Sequence, residues 1–572
     1  MNRKLYAISL AAVFLAISFL TSCSSSSSST TPPPPPPPTT TPYAFYLSGQ
    51  EEINDGPNYY ALAGAVTIDS SGNVTAGEQD YNDAFGITSP GEPTTADLIT
   101  GGTLTVDATT GQGTLTLITN NTAVGSSSTP GTETLAVQFV NADHALVTQF
   151  DGSATSSGSM DLQTSLTSAP TGSFAFTMSG VDPSYAPVAF GGVFTLPSAA
   201  TDEVDANDNG DNTSVVAAPL TVSLGTPDAF GRGTVTSSAQ YGGTAISLNY
   251  YVVGPEVIRI IDVDTTDAAV GSAFGQGSST GAFADTSLVA SVFGVSGDPW
   301  GFEYATAGQF ATNSTNGSFS GVGEEAELET FVSGQAGAVG GPYTIGTNGY
   351  GSLTIGGFGG GDVSAIQVYA TDPTLDLMDP NNASGNPDVG GALLLDFDSA
   401  LSGGTGVVVS QTDTTATDFN GNYAAGWQDF NNLVPASACY GCEFDMVAQG
   451  TMVSGGALSL TAEISDPFET LDAGGAFGPG TFTGTPTPDG SNPGRLTMLS
   501  TDPAPGGSLT ASIGTSPFTS FDAIIYQASA SQLFWLEYDE DSVFLGPIEV
   551  QGSLTGLPTV ARPVKTQFKA KH

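Results

Sequence analysis

From Tyr43 onward the chain reads as short apolar and polar alternations cut by Gly, Asn, Asp or Pro. A period of two turns one side of each run toward a core and the other outward, as in a β-strand. Long windows of helical period are absent. The runs also return in a fixed order, the mark of an internal repeat. An opening strand is predicted at Tyr43-Ala-Phe-Tyr-Leu-Ser-Gly49, at Phe174-Ala-Phe-Thr-Met-Ser-Gly180 and, as a weaker copy, at Ser291-Val-Phe-Gly-Val-Ser-Gly297. A second follows at Ala61–Thr67, Ala189–Thr195 and Ala305–Ala311. A later strand starts beside glycine, at Gly111-Gln-Gly113, Gly231-Arg-Gly233 and Gly349-Tyr-Gly351, with Gly494-Arg-Leu496 as a divergent fourth. A closing pair is predicted at Ala136–Val140 with Ala145–Phe150, and at Leu248–Val253 with Val257–Asp262. It recurs at Ala365–Tyr369 with Leu375–Met378, and at Ala523–Gln527 with Leu533–Tyr538. A short final strand ends near Gln163, Gln276 and Gln551.

The repeat divides the chain into four modules, 43–165, 171–276, 287–400 and 419–553, each of ordinary domain size. Neighbouring strands usually pair, so the expected fold class is all-β: four tandem antiparallel modules, each an up-and-down β-barrel of about eight strands. Closure removes the exposed edges that an open meander would leave. The alternative is a β-sandwich of immunoglobulin type, for which the sequence offers no Cys, Trp, Cys framework.

The N-terminus reads differently. Arg3 and Lys4 precede an apolar run from Leu5 to Leu20, short for a membrane span, which ends in Leu20-Thr-Ser-Cys23. This segment resembles the lipobox of bacterial lipoproteins. The resemblance implies that residues 1–22 are a cleaved signal peptide and that Cys23 carries diacylglycerol and an acyl chain such as palmitate. Ser24, which is not Asp, then favours the outer membrane over the inner. Residues 23–42 hold a serine run and seven consecutive prolines, Pro32 to Pro38, which would extend as polyproline II at about 3.1 Å per residue. The lipobox, this tether and a basic tail at 554–572 oppose a single transmembrane barrel. With the module rhythm they also resemble the uncharacterised repeat lipoproteins of soil bacteria, a likeness that implies no activity.

Charge narrows the partners. The 572 residues include 56 Asp and Glu against 9 Lys and Arg, a formal net charge of -47. Between Tyr43 and Thr555 the basic residues are Arg232, Arg259 and Arg495 alone. Nucleic acid is excluded, because phosphate contacts need clustered cations. Either the protein lives in an acidic milieu, where carboxylates protonate, or it attracts a cationic envelope partner.

Candidate chemistry is sparse. Asp205-Ala-Asn-Asp-Asn-Gly-Asp211 fits the first half of a calcium loop, with Asp205, Asn207, Asn209 and Asp211 as oxygen ligands, but Val216 stands where the closing acid belongs. Acidic segments recur at the same place in other modules, at Glu78–Asp83 and Gly323–Glu327, and the alternative is a solvated turn. Cys439 and Cys442 form a CxxC, read as a disulfide in an exported protein. Cys and His are too few for a metal centre, since only His144 and His572 occur. Gly277-Ser-Ser-Thr-Gly281 matches G-x-S-x-G without the strand-to-helix setting of a nucleophile elbow. The expected function is therefore a non-catalytic binding or structural role at the cell envelope, with no cofactor other than calcium. A small-ligand carrier with hollow, lipocalin-like barrels is the second class, and an envelope enzyme acting on glycans the third.

Overall fold

The computed structural model describes residues 39–53, 56–83, 94–122, 127–128, 131–150, 152, 154–182, 186–208, 215–241, 244–264, 267–297, 304–327, 337–356, 365–381, 390–397, 404–415, 420–431, 442–453, 457–468, 476–498, 510–513, 516–517, 522–537, 542–558 and 560–561. The signal segment, Cys23, the tether up to residue 38 and most of the basic tail lie outside the described residues, while the last tether positions, Thr40 to Pro42, already belong to the first strand.

The predicted alternations fold as antiparallel strands in sequential order, the meander that short local turns dictate. In the first module eight strands run from Thr40–Ile53 to Ala154–Leu162. The first pairs with the last through Leu47 and Gly158, and Val74–Asp83 pairs with Asp97–Val106, which closes the barrel. The third module is likewise a closed barrel of eight strands, from Ser291–Gly297 to Thr405–Ser410. The second and fourth are curled sheets of nine and eleven strands, each with its first strand beside its last long strand, Gly172–Val181 with Ala268–Gly275 and Asn420–Asn431 with Ser542–Val550. First-to-last pairing in every module is the signature of a barrel and excludes the two separate sheets of a sandwich. Among the described residues helix is confined to two single turns, Gly277–Ser279 and Asp285–Ser287, and no helix is long and apolar enough to cross a membrane.

The third module departs from expectation twice. Its closing strand runs to Ser410, past the boundary at 400. Leu375–Met378 is not a strand, and Ala365–Ala370 pairs instead with Gly391–Asp396. Two aspartates bend the chain there: Asp372 accepts from the Thr374 N–H and Asp376 from the Met378 N–H, both at Asx turns. Leu377 then turns into a core shared between modules.

Each barrel interior is filled by one face of its strands. Phe45, Leu47, Leu115 and Phe139 pack in the first, Phe174, Phe194 and Tyr250 in the second. Phe293, Phe310 and Phe319 fill the third, Trp427, Trp535 and Phe444 the fourth. The second interior retains only about 40 Å³, lined by apolar side chains together with Ser237 and Asp262. The outward face of the same strands is also buried where barrels meet. Ala44, Ala63, Ala175, Ala189, Ala305 and Ala307 join Tyr251, Tyr369 and Tyr526 in a fifth core drawn from all four modules. Small outward residues let the barrels approach closely, so the modules form one body.

Candidate functional site between the four barrels

One rung of the repeat recurs in every module. Tyr46 pairs with Ala63 and Ala63 with Asp80 across the first three strands of module one. The same rung is Thr177, Gly191, Asp205 in module two, Gly294, Ala307, Glu324 in module three, and Gly426, Val447, Glu463 in module four. The third strand therefore carries an outward acid at one place in each module. In modules one, two and three it meets the residue at the G-x-G position of the next. Arg232 of module two forks onto Asp80, with Nε 2.9 Å from Oδ2 and Nη2 2.8 Å from Oδ1. Arg495 of module four reaches Glu324 at 2.7 Å, where the Tyr526 hydroxyl also donates. In module three tyrosine replaces arginine: Tyr350 and Tyr369 donate to Asp205 at 2.8 and 2.7 Å. Gly191 is needed at that joint, since a Cβ there would lie 2.3 Å from the Tyr369 ring.

A glutamine after each final strand makes a second clasp. Gln163 donates to the carbonyls of Phe230 and Val252, Gln276 to those of Asn348 and Ala370, and Gln551 to those of Thr110 and Phe139. Gln411 is the fourth copy and donates to the Gln527 carbonyl. The joints thus run from one to two, two to three, three to four, and four back to one, a closed circle. The chain then continues into a latch: Leu554 and Leu557 pack on the first barrel, and Val560–Ala561 pairs in parallel with Thr105–Val106.

A cavity of about 350 Å³ lies between the barrels, lined by the first and last strands of all four. Equivalent positions contribute Ser48, Ser179, Ser296 and Gln428 to its wall. Glycine lines it from each last strand, at Gly158, Gly271, Gly406 and Gly546. A Cβ on any of the four would fall 1.9–2.1 Å from the carbonyl oxygen of Tyr46, Thr177, Gly294 or Gly426 respectively, so the seam of every barrel closes only on glycine. The connection that replaces the expected strand at Leu375–Met378 reaches the other three barrels. Asn141 donates to Asp379 at 2.5 Å, Gln532 to Asp376 at 2.7 Å, and the Asp372 N–H to the Gly275 carbonyl at 2.9 Å. Leu377 and Met378 thereby enter the cavity wall.

The charged groups beside this cavity neutralise one another. Arg259 lies over the Tyr46 ring, 4.4 Å from its centroid, and its Nη2 is 2.5 Å from Asp161. His144 Nδ1 is 2.7 Å from the other Asp161 oxygen, and Nε2 is 3.5 Å from Glu549. Burial disfavours the charged imidazole, but contacts with Asp161 and Glu549 outweigh it and hold His144 well above its ordinary range. Burial works likewise against the Asp161 carboxylate and is outweighed by Arg259 and His144, which hold it below the usual carboxylate range.

The sequence-derived sites fall elsewhere. Asp205 and Asn207 stand in the strand Glu203–Asp208, not in a loop, and face module three, where Asn207 donates to the Asp396 carbonyl. Asn209 and Asp211 lie outside the described residues, as does Cys439, while Cys442 is buried and disulfide-bonded. The Gly277–Gly281 motif is a surface 3₁₀ turn. Sequence reasoning missed the cavity and its glycines. The signal was a glycine at one register of every last strand, hidden among 74 glycines.

No family model and no curated protein matches the chain. Among solved structures it is similar to a tryptophan-to-alanine mutant of the vaccine antigen transferrin binding protein B from Haemophilus parasuis Hp5, at 12% identity and a TM-score of 0.19, covering 73% of this chain and 85% of that one. A double mutant of the same antigen aligns at 13% identity and a TM-score of 0.19 over the same shares. The siderophore receptor PirA from Pseudomonas aeruginosa aligns at 8% identity and a TM-score of 0.11, covering 90% of this chain and 81% of that one.

Proposed function

We propose that the protein is a lipid-anchored envelope protein of the outer membrane whose four barrels form one rigid head with a non-catalytic binding or structural role. The carrying observation is the make-up of the central cavity. Among its described lining residues Glu549 is the sole carboxylate, and it faces His144. Glycoside hydrolysis by the usual route needs two carboxylates across the substrate, so the wall supports binding over glycan cleavage. The filled interiors weigh against a carrier with a ligand inside each barrel. A carrier reading survives only for the space between barrels, where hydroxyls and aromatic rings line about 350 Å³. The lipobox at Leu20–Cys23 and the proline tether support the anchor and a head held clear of the headgroups.

Two measurements test this. Cys23→Ala should move the chain from the membrane fraction to the soluble one and remove the lipid mass. Membrane association and mass that survive the substitution would overturn the anchor. For the head, Glu549→Gln should leave any glycan-releasing activity of the wild-type preparation unchanged, and an activity that disappears with Glu549 would make it an enzyme.

A further inference from the structure

At the end of the second barrel's hairpin the chain reads Asp262-Val-Asp264, and Asp267 opens the next strand's approach. One carboxylate oxygen from each of Asp262, Asp264 and Asp267 lies within 4.8 Å of the others. Asp262 is 1% exposed. Its Oδ1 accepts the Asp264 N–H at 2.8 Å, while its Oδ2 is buried and meets no hydrogen-bond donor. A carboxylate removed from water takes up a donor, a proton or a cation. Here its nearest polar neighbours include further carboxylates. The surrounding scaffold is built: Asn82 of the first barrel donates from Nδ2 to the carbonyls of both Asp262 and Asp267, at 3.0 and 2.7 Å, and Asp264 accepts from the Ser247 N–H.

We propose that Asp262, Asp264 and Asp267 bind a calcium ion at the joint between the first and second barrels. Three carboxylates supply hard oxygen ligands, which suit calcium and magnesium and no soft metal. Three protein carboxylates converging on one point suit calcium, which takes many protein oxygens in flexible geometry, over magnesium, which keeps most of its waters and takes one or two carboxylates. Asp264 is half-buried, which leaves room for water to complete the shell. The ion would bind between residues that Asn82 already ties to the first barrel, and so would strengthen that joint. This site is separate from the Asp205–Asp211 segment, whose described residues face module three.

The test uses the full chain in detergent, stripped with chelator, with calcium or magnesium added at equal ionic strength. Calcium should raise the melting temperature more than magnesium, with one tight site by calorimetric titration. Asp262→Asn and Asp264→Asn should each weaken that site by about tenfold or more, because each removes a charged ligand. Asp264 is the more exposed position, so that variant keeps the fold if the buried one does not. Asp205→Asn should leave the binding intact. Equal effects of the two ions would overturn the proposal. So would a calcium response that persists in the Asp264→Asn protein or is lost in Asp205→Asn.

Discussion

Arg232 and Arg495 occupy the same place in two different modules, and each ends on the third-strand acid of the module before it, Asp80 and Glu324. Their spacing in sequence says nothing of this, because each partner lies in another module. Taking one cation away strands a buried carboxylate. Arg232→Met should therefore cost about 3–5 kcal/mol in chemical denaturation, and Arg495→Met a similar amount. The pair Arg232→Met with Asp80→Leu should recover most of the loss. A double variant as unstable as the single one would show that the ion pair is not the source.

The seam glycines should be intolerant. Gly271→Ala would press a methyl against the Thr177 carbonyl oxygen, 2.0 Å from the ideal Cβ position. Overpacking of this kind costs about 1–3 kcal/mol or more. Gly490→Ala, with no atom within 4 Å of the added carbon, should be close to neutral. Thermal denaturation of the two variants side by side checks the difference.

How much of this was legible depends on where the partners lie. The strands, their order and the G-x-G motif could be read because alternation and local turns are encoded within ten residues or so. The recurrence of acid at Glu78–Asp83, Asp205–Asp211 and Gly323–Glu327 was also legible, but as a loop. Its meaning depends on Arg232, Tyr369 and Arg495, more than a hundred residues downstream. Leu375-Asp-Leu-Met378 alternates like a strand, and only the Asx turns at Asp372 and Asp376 betray a crossing segment. Gln411 lies past the boundary expected at 400, so the third module showed no closing glutamine.

The modules should not behave as independent domains. Tyr251, Val257 and Val270 of the second barrel face the shared core, so residues 171–276 alone would expose them. That fragment should aggregate or fail to fold, while the full chain in detergent should show one cooperative calorimetric transition. Four resolved transitions would contradict the shared core.

Stability should fall as pH rises. Burial first, and then Asp228, pushes Glu78 up to about 8. Burial likewise pushes Glu51 to about 8, with Asp83 adding to it against Tyr81. Burial, Glu549 and Asp376 take Asp379 to about 7 against the pull of His144. The folded chain thus keeps protons that the unfolded chain has released above the ordinary carboxylate range. By linkage the stabilisation is complete below about pH 4 and is lost as pH climbs toward 8. His144, held well above its ordinary value, acts in the same direction above about pH 6.5. Asp161 is held low and opposes it only below about pH 4. The melting temperature of the full chain should be higher at about pH 5 than at about pH 7.5, with high salt recovering part of the difference by screening exposed charge. A higher value at the upper pH and low salt would sink this prediction.

The latch at Val560–Ala561 changes the fate of a joint that lets go. Three joints are spanned by the short connections between successive modules, and the fourth by the stretch from Gln551 to the latch. Any single pair of faces that separates remains held near its mate by the rest of the circle. The relevant quantity is then an effective concentration, about millimolar or more for short connections, far above that of any second copy in solution. Resealing is accordingly intramolecular and outpaces capture by a neighbour. A joint can be thermodynamically modest, as where Gln112 stands in place of the arginine, and the head will still present itself as one unbroken surface.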